Sequence, residues 1–308
     1  MNLEADMIVH SRRLRRRLIF WRTLAVVVLI AMAVGIAQQI RSPDLGAVGR
    51  PYVARISVSG LIVEDRDLLD RIEAIRKDGR VRALMVHIDS PGGTVVGGES
   101  LYEALRAVAA DKPVVAVMGT TAASAGYMVA IGADRIVARA GTVTGSIGVL
   151  LQTAQVTDML ESIGVRPISI KSSPLKAAPS PLEELTPAGR DAAQEVVDAM
   201  YRLFVDMVAE RRGLSGERLD AVTDGRIFTG RQAQGLGLVD DVGGEEQART
   251  WLDAEKGVAD SLPVIDMDPR RDFSLLGRLT SMVFGKSLFT ERLILDGLIS
   301  VWHPDLRS

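Results

Sequence analysis

The sequence contains no cysteine and only three histidines among its 308 residues. Without cysteine the chain forms no disulfide, holds no cysteine-ligated zinc or iron–sulfur cluster, and has no thiol nucleophile. The histidines, His10, His87 and His303, give little material for a histidine-built metal site. We therefore expect no metal and no cofactor. Any nucleophile should be a serine or threonine hydroxyl, and its base need not be an imidazole.

An excess of one sign of charge is also missing. Lys and Arg total 37 against 39 Asp and Glu, a net charge of −2, so the chain lacks the overall basic field of a nucleic-acid-binding protein. Hydrophobic residues make up 47% and charged residues 25%, which supplies a sizeable core and excludes a disordered or collagen-like chain. This length allows about two domains or one large α/β unit.

Positive charge is nevertheless concentrated near the N-terminus. Five arginines within residues 12–17 precede an apolar run over 18–37 that only Arg22 and Thr23 interrupt. This pattern predicts one transmembrane helix with the arginines in the cytoplasm, and we favour an uncleaved anchor over a cleaved signal peptide. We expect a basic cytoplasmic segment over 1–17, the anchor over 18–37 and a polar linker over 38–51, with the rest of the chain outside the cytoplasm.

After the linker, short apolar runs alternate with patterns of helical spacing. The alternation predicts an α/β fold with a mostly parallel sheet covered on both faces. Strands are predicted over 52–58, 83–89, 113–118, 135–138, 147–151 and 167–170, and helices over 68–75, 98–109, 122–131, 157–163, 187–212 and 215–221. The C-terminal tail, 263–308, mixes apolar and basic residues. We expect it to pack on the core, with an amphipathic helix on a membrane or on a partner subunit as the alternative.

The longest predicted helix has clear end signals. Thr186 is a good N-cap, Pro187 suits the first turn, and Gly213 marks the C-terminal end. Apolar residues between them recur with the 3.6-residue period of a helix that is buried on one face.

Three segments of small residues follow predicted strands and offer places for chemistry. Residues 89–93, Asp-Ser-Pro-Gly-Gly, present backbone N–H groups beside a helix start, where a developing oxyanion is stabilised. Ser124 lies among small residues near the start of the next helix, so a substrate backbone can approach its hydroxyl. From these residues alone Ser124 fits a nucleophile or a packing contact equally, and the Gly/Thr-rich segment 141–148 fits a structural turn better.

Few residues can serve as the base. His10 falls on the cytoplasmic side, His303 lies in the tail, and His87 fits a strand histidine better than a base, so a Ser/His/Asp triad lacks material. Lys176 differs from the other lysines because proline, leucine and alanine surround it. Such neighbours should desolvate the ammonium and favour the neutral amine that a base requires. Lys171 is the second candidate.

The segments taken together resemble the signal peptide peptidase A family in its single-repeat form. Residues 90–93, 124–127 and 144–148, with a lysine in a proline-rich stretch, carry the resemblance. Residues 224–233 and 237–240 are similar to the family's downstream pattern, and the likeness covers about residues 52 to 250. The family consists of Ser/Lys-dyad serine proteases, and the resemblance implies a ClpP/crotonase-like fold of repeated ββα units.

The resemblance also implies a role for individual residues. Ser124 would be the nucleophile, Lys176 the general base, and Ser146 a hydrogen-bonding partner of the lysine. The N–H groups of Gly93 and Ala125 would form the oxyanion hole. A protease domain over 52–262 would assemble into a homo-oligomer, an octamer in this family, whose sites can combine residues of neighbouring subunits.

The expected function is therefore that of a membrane-anchored serine endopeptidase. It would degrade remnant signal peptides, or other apolar peptides, on the periplasmic side of the bacterial inner membrane, without nucleic acid. Three alternatives stay open: a partner-dependent protease that cuts one membrane protein, a crotonase-type acyl-CoA enzyme, and a non-catalytic membrane scaffold.

Overall fold

The structure is a computed structural model that describes residues 21–23, 26, 49–268 and 298–301. The chain divides into two compact units, Met1–Arg50 and Pro51–Ser308. The segments predicted over 1–17, 18–37 and 38–51 lie almost entirely outside the described residues, although residues 21–23 are helical. Among the residues that are described, no helix combines the length and the apolar character needed to cross a membrane.

The second unit alternates strands and helices along most of its length. Its strands are β1 (Tyr52–Ile62), β2 (Val81–Thr94), β3 (Val114–Ala123), β4 (Arg135–Ala138), β5 (Val143–Gly145), β6 (Leu150–Leu151), β7 (Ile227–Thr229), β8 (Asp241–Val242), β9 (Val264–Asp266) and β10 (Leu298–Val301). Its helices are α1 (Arg66–Lys77), α2 (Val95–Ala109), α3 (Ala125–Ala130), α4 (Thr157–Ser162), α5 (Pro187–Arg212), α6 (Glu217–Asp220), α7 (Gly230–Gly235) and α8 (Glu245–Lys256).

These strands form one sheet in which most neighbours are parallel. The central order is β6-β10-β2-β3-β4-β8. Off this path, β1 pairs with β2 and β9 pairs with β1, while β5 pairs with β3 and β7 pairs with β5. The antiparallel pairs are β10 with β2, β10 with β6, and β5 with β7. The predicted α/β fold with a mostly parallel sheet is confirmed.

Hydrophobic clusters cover both faces of the sheet. Successive strand residues point to opposite faces, so Leu84 and Val86 of β2 enter the larger cluster with α1, α2, α3 and α5. Met85 enters the smaller cluster, which Trp251 and Leu252 of α8 cover. Burial on both faces explains why the central strands read as continuous apolar runs.

Elements with strong local signals have the predicted bounds. Strand β4 covers 135–138 and helix α5 covers 187–212, as expected. The Thr186 hydroxyl accepts a hydrogen bond from the Gly189 N–H at 3.1 Å, and Gly213 ends the helix in the left-handed region at a φ of 61°. The capping residues thus mark both ends of this helix, while its buried residues pack in the core.

Two strand predictions are wrong. Residues 167–170 have no regular structure, and the strand predicted over 147–151 is reduced to β6. Ile168 and Ile170 are 88% and 99% exposed, so this apolar run has no neighbouring strand among the described residues. Alternating apolar residues form a strand only where an edge is available to pair with them.

Strand β2 extends beyond its predicted end at Asp89. Pairing with β1 continues through Leu61 with Gly92 and Ile62 with Gly93, after a bulge in the register. Gly92 has a φ of 126°, which an L-residue rarely adopts. The glycine segment is therefore the twisted end of a strand, and α2 begins directly after it.

Candidate active site

Ser124 occupies the sharp junction between β3 and α3. Its backbone has a φ of 57° and a ψ of −120°, an unfavourable conformation for a residue with a Cβ atom. The side chain is 1% exposed, and Oγ has no hydrogen-bond partner among the described residues. A strained backbone therefore holds a buried hydroxyl at a helix start, and a nucleophile at this position would need its base from outside the described contacts.

The Gly/Thr-rich segment forms one side of this junction. The Ser124 N–H donates to the Gly145 carbonyl at 2.8 Å, which extends the parallel pairing of β3 with β5. Ser146 follows directly, with a φ of 51°, and its N–H donates to the Arg226 carbonyl at 2.8 Å. The structure therefore places the backbone of Ser146 next to the residue that bonds Ser124, and a contact between Ser146 and the lysine stays a prediction.

Ala125 follows Ser124 directly, and Gly93 lies at the end of β2, next to β1. The N–H of Ala125 is the first of α3 and has no acceptor within its own helix. A Cβ atom at Gly93 would stand 1.8 Å from the Ile62 carbonyl oxygen, so only glycine fits between β1 and β2 here. Their use as oxyanion donors stays a prediction.

Close backbone packing brings the glycine segment and α3 together. A Cβ atom at Gly126 would meet the Ser90 carbonyl oxygen at 2.9 Å, and one at Gly98 would meet the Ala125 Cβ atom at 3.2 Å. The Ser90 hydroxyl donates to the Gly60 carbonyl at 2.6 Å, which joins the end of β2 to β1. Small residues on both sides therefore let α3 approach the carboxyl end of the sheet.

Lys176 is not sheltered within one chain. It lies in the arm, which we define as residues 152–185, and no side chain of the arm is fully buried. Lys176 itself is exposed, so the expectation that its neighbours desolvate it is wrong for the single chain. Because Ser124 Oγ has no hydrogen-bond partner in the described residues, Lys176 does not bind it within one subunit.

Other basic residues are less suitable. Lys171 forms an ion pair with Glu183. The hydrogen bond that Lys171 donates lowers the pKa of the Glu183 carboxyl below its usual value. His87 alternates with the core residues Val86 and Ile88, so it points to the face of the sheet opposite α3. Lys112 donates to the Ile75 carbonyl at 2.8 Å, at the opposite end of β3 from Ser124.

Comparison with known proteins supports the family that the sequence motifs suggested. The model of peptidase family S49 matches residues 106–259. A Synechocystis sp. protein that carries a protease name is 40% identical over 239 residues, 75% of this chain and 83% of that protein. The chain belongs to peptidase family S49. The predicted resemblance to the signal peptide peptidase A family is confirmed at this level.

Two further S49 relatives differ from this chain in length. An Enterococcus faecium protein with the name signal peptide peptidase SppA is 31% identical over 68% of this chain and 65% of its own length. Protease 4 of Salmonella typhi is 37% identical over 58% of this chain, but over only 29% of its own length. The chain therefore spans less than two thirds of either relative.

Sequence reasoning gave no role to two residues that support the S49 site. Tyr127 is fully buried, and its hydroxyl donates to the Leu238 carbonyl at 2.8 Å, while burial raises the pKa of its phenol. Asp240 accepts the Ile136 N–H at 2.8 Å and pairs with Arg212. The downstream segment 237–240 thus bonds both α3 and β4. Its likeness to the family pattern was the sequence feature that could have pointed to these two residues.

Proposed function

We propose that this S49 chain is a serine endopeptidase that cuts remnant signal peptides at the bacterial inner membrane, with its protease domain on the periplasmic side. The observation that carries the proposal is Ser124, with its strained backbone and its buried, unpartnered hydroxyl at the start of α3. The protease names of the relatives support peptide-bond hydrolysis, and one of those names supports signal peptides as the substrate class.

In this mechanism the neutral Lys176 amine takes the proton from Ser124 Oγ as the oxygen attacks the scissile carbonyl carbon. The resulting oxyanion accepts hydrogen bonds from the N–H groups of Gly93 and Ala125, each worth about 3 kcal/mol to the transition state. The C–N bond breaks, and the lysine returns the proton to the leaving amine. Water then hydrolyses the ester between Ser124 and the acyl group, and free serine is restored.

A neighbouring subunit is the proposed source of the lysine environment. The arm presents Met159, Ile163, Ile168 and Ile170 with 59% to 99% of their surfaces exposed. Exposed apolar side chains at this density mark a protein interface. If a second copy of the chain covered the arm, the same contact would bury these apolar side chains and exclude water from Lys176. We therefore propose a homo-oligomer, an octamer as in the resembling family, in which the dyad forms between subunits and Ser146 contacts the lysine.

Alanine variants test the chemistry. We expect Ser124→Ala to abolish cleavage of a signal-peptide substrate, and Lys176→Ala to lower kcat by about 10²–10⁴-fold because the base is lost. Lys77→Ala, at an exposed lysine of α1, is the matched control and should cleave at the wild-type rate. A fluorophosphonate should label wild-type Ser124. Wild-type cleavage by either site variant would remove that residue from the mechanism.

Mixed oligomers test where the dyad forms. If the dyad is shared between subunits, co-expression of equal amounts of Ser124→Ala and Lys176→Ala chains restores about a quarter of the sites, since each interface pairs one serine with one lysine. If both residues act within one chain, the mixture stays inactive. An inactive mixture of confirmed oligomers would contradict the shared dyad without contradicting the protease.

The alternatives differ in measurable ways. Membership in a peptidase family disfavours an acyl-CoA enzyme of the crotonase type. A non-catalytic scaffold would leave Ser124 unlabelled by the fluorophosphonate. In a partner-dependent protease, the fluorophosphonate would label Ser124, but isolated signal peptides would be cut slowly.

A further inference from the structure

Lys171 is covered better than its apolar neighbours in the arm. Its side chain is 18% exposed, whereas Ile168 and Ile170 are 88% and 99% exposed. Isoleucine is among the residues most often buried, and lysine is seldom buried unless it is paired. Lys171 is paired with Glu183, whose side chain is 31% exposed. An ion pair, and not apolar packing, therefore holds this part of the arm within one chain.

This ion pair joins the two ends of the segment that carries Lys176. Lys171 and Glu183 are 12 residues apart in the sequence, and we call the residues from one to the other, 171–183, the base loop. A second contact ties the base loop to helix α5. A Cβ atom at Gly189, in the first turn of that helix, would stand 3.3 Å from the Ala178 Cβ atom. Lys176 therefore lies between a paired residue on one side and a packed residue on the other.

The backbone inside the base loop is tightly turned. The Lys176 N–H donates to the Ser173 carbonyl at 3.1 Å, and the Ala178 N–H donates to the Leu175 carbonyl at 3.1 Å. Ala177, between the two donors, has a φ of 63°, a conformation that residues with a Cβ atom adopt only when their surroundings impose it. These turns set the backbone on both sides of Lys176, and the ion pair sets where the loop closes.

We propose that the ion pair between Lys171 and Glu183 is a clasp that holds the base loop in the shape that presents Lys176 to a Ser124 hydroxyl. Lys171 is then a positioning residue and not the base, because its ammonium is held by a carboxylate. This inference rests on the proposed function, since it names the residues that place the base of that mechanism. A loop that is already shaped loses less conformational entropy when the arm is covered, and a misplaced base slows the reaction.

Two single variants test the clasp in catalysis. Glu183→Gln and Lys171→Met each remove the ion pair, and they change the net charge in opposite directions. We expect each to lower kcat for a signal-peptide substrate by about threefold or more with little change in KM, because a displaced base slows proton transfer and not substrate binding. Lys171→Arg keeps the pair and should keep the parental kcat.

The comparison of these variants separates the clasp from other effects. A loss of kcat in only one of Glu183→Gln and Lys171→Met would report local charge and would overturn the inference. Parental kcat in both would also overturn it, and would leave Ser124 and Lys176 in their proposed roles.

Hydrogen exchange tests the clasp without catalysis. In Glu183→Gln the backbone amides of Lys176 and Ala178 should exchange at least about threefold faster, because loss of a partly covered ion pair lowers local stability on this scale. Arg166 and Glu161 form another ion pair of the arm at 3.5 Å, with side chains 83% and 69% exposed. Glu161→Gln is therefore the matched control and should leave both exchange and kcat unchanged. Parental exchange in Glu183→Gln would contradict the clasp even if no substrate were ever cleaved.

Discussion

At the scale of single residues, the site depends on positions where nothing larger than hydrogen or methyl fits. Ser124 has a positive φ, and its neighbours Ala123 and Ala125 are fully buried. Gly93 packs against the backbone of Ile62, and Gly126 packs against the Ser90 carbonyl. The strained serine persists because this packing over-determines its conformation.

Gly93→Ala tests this close packing. The added Cβ atom would stand 1.8 Å from the Ile62 carbonyl oxygen, so β1 and β2 would have to separate. We expect the free energy of unfolding to fall by about 1–3 kcal/mol and labelling of Ser124 by a fluorophosphonate to be lost. Gly79→Ala, where the Cβ atom meets nothing within 4 Å, is the control. Parental stability and labelling of Gly93→Ala would show that the strands relax freely.

Tyr127→Phe tests the hydrogen bond that joins α3 to Leu238. The substitution leaves the buried Leu238 carbonyl without the hydroxyl that donates to it at 2.8 Å. An unsatisfied buried acceptor costs about 1–3 kcal/mol, so the midpoint of urea unfolding should fall accordingly. Because Tyr127 does not contact the reacting atoms in this mechanism, labelling of the folded variant should persist. An unchanged midpoint would mean that this hydrogen bond contributes nothing to stability.

At the scale of elements, short strands at the margins are held by polar contacts as well as by pairing. β9 joins β1 through three register pairs, and the Arg55 guanidinium holds the Asp266 carboxylate at 2.6 Å. Arg55 also contacts Glu245 of α8 at 3.0 Å. One arginine therefore links β1, β9 and α8 at the edge of the sheet.

The pH dependence of this link follows from the direction of the pKa shift. The hydrogen bond from Arg55 lowers the pKa of Asp266 below its unfolded value of about 3.9. The pair therefore stabilises the fold above that pH and is lost as the pH falls through the lower, folded pKa. We expect Asp266→Asn to be less stable than the parent by about 0.5 kcal/mol at pH 7, a small effect because the pair is solvent-accessible. Thermal unfolding should show this difference narrowing below pH 4, and a constant difference down to acid pH would contradict the linkage.

At the scale of the whole molecule, the two residues of the proposed dyad have different surroundings in a single chain. Ser124 is buried in the core of the unit, whereas Lys176 lies on the exposed arm with its apolar side chains. The same association would bury the arm and supply the base. Assembly and catalysis are thus expected to depend on one surface.

Ile170→Asp tests that surface. Ile170 is 99% exposed, so a charge there costs nothing in the isolated chain but would be buried unpaired in an oligomer. We expect light scattering to show dissociation, and cleavage to fall with it, while the folded secondary structure is unchanged. Ile170→Leu should keep both properties. An intact, active Ile170→Asp oligomer would place the interface elsewhere.

The sequence alone determined the features that depend on local chemistry. The bounds of α5 followed from Thr186 and Gly213, and β4 followed from a short apolar run. Small residues around its hydroxyl made Ser124 a candidate, and the resemblance to a family, recognised from motifs in a fixed order, gave it the role of nucleophile. The oxyanion, lysine and membrane-anchor assignments stay predictions.

Only the tertiary structure decided features that depend on what lies alongside a segment. Residues 167–170 have strand-forming composition but no edge to pair with, and the local surroundings of Lys176 do not shelter it from water. β2 extends past Asp89 because β1 continues beside it, and β10 lies at Gly93 although it is far away in the sequence. Spacing along a chain reports helix ends and apolar runs, whereas strand pairing and desolvation are set by neighbours that folding brings from a distance.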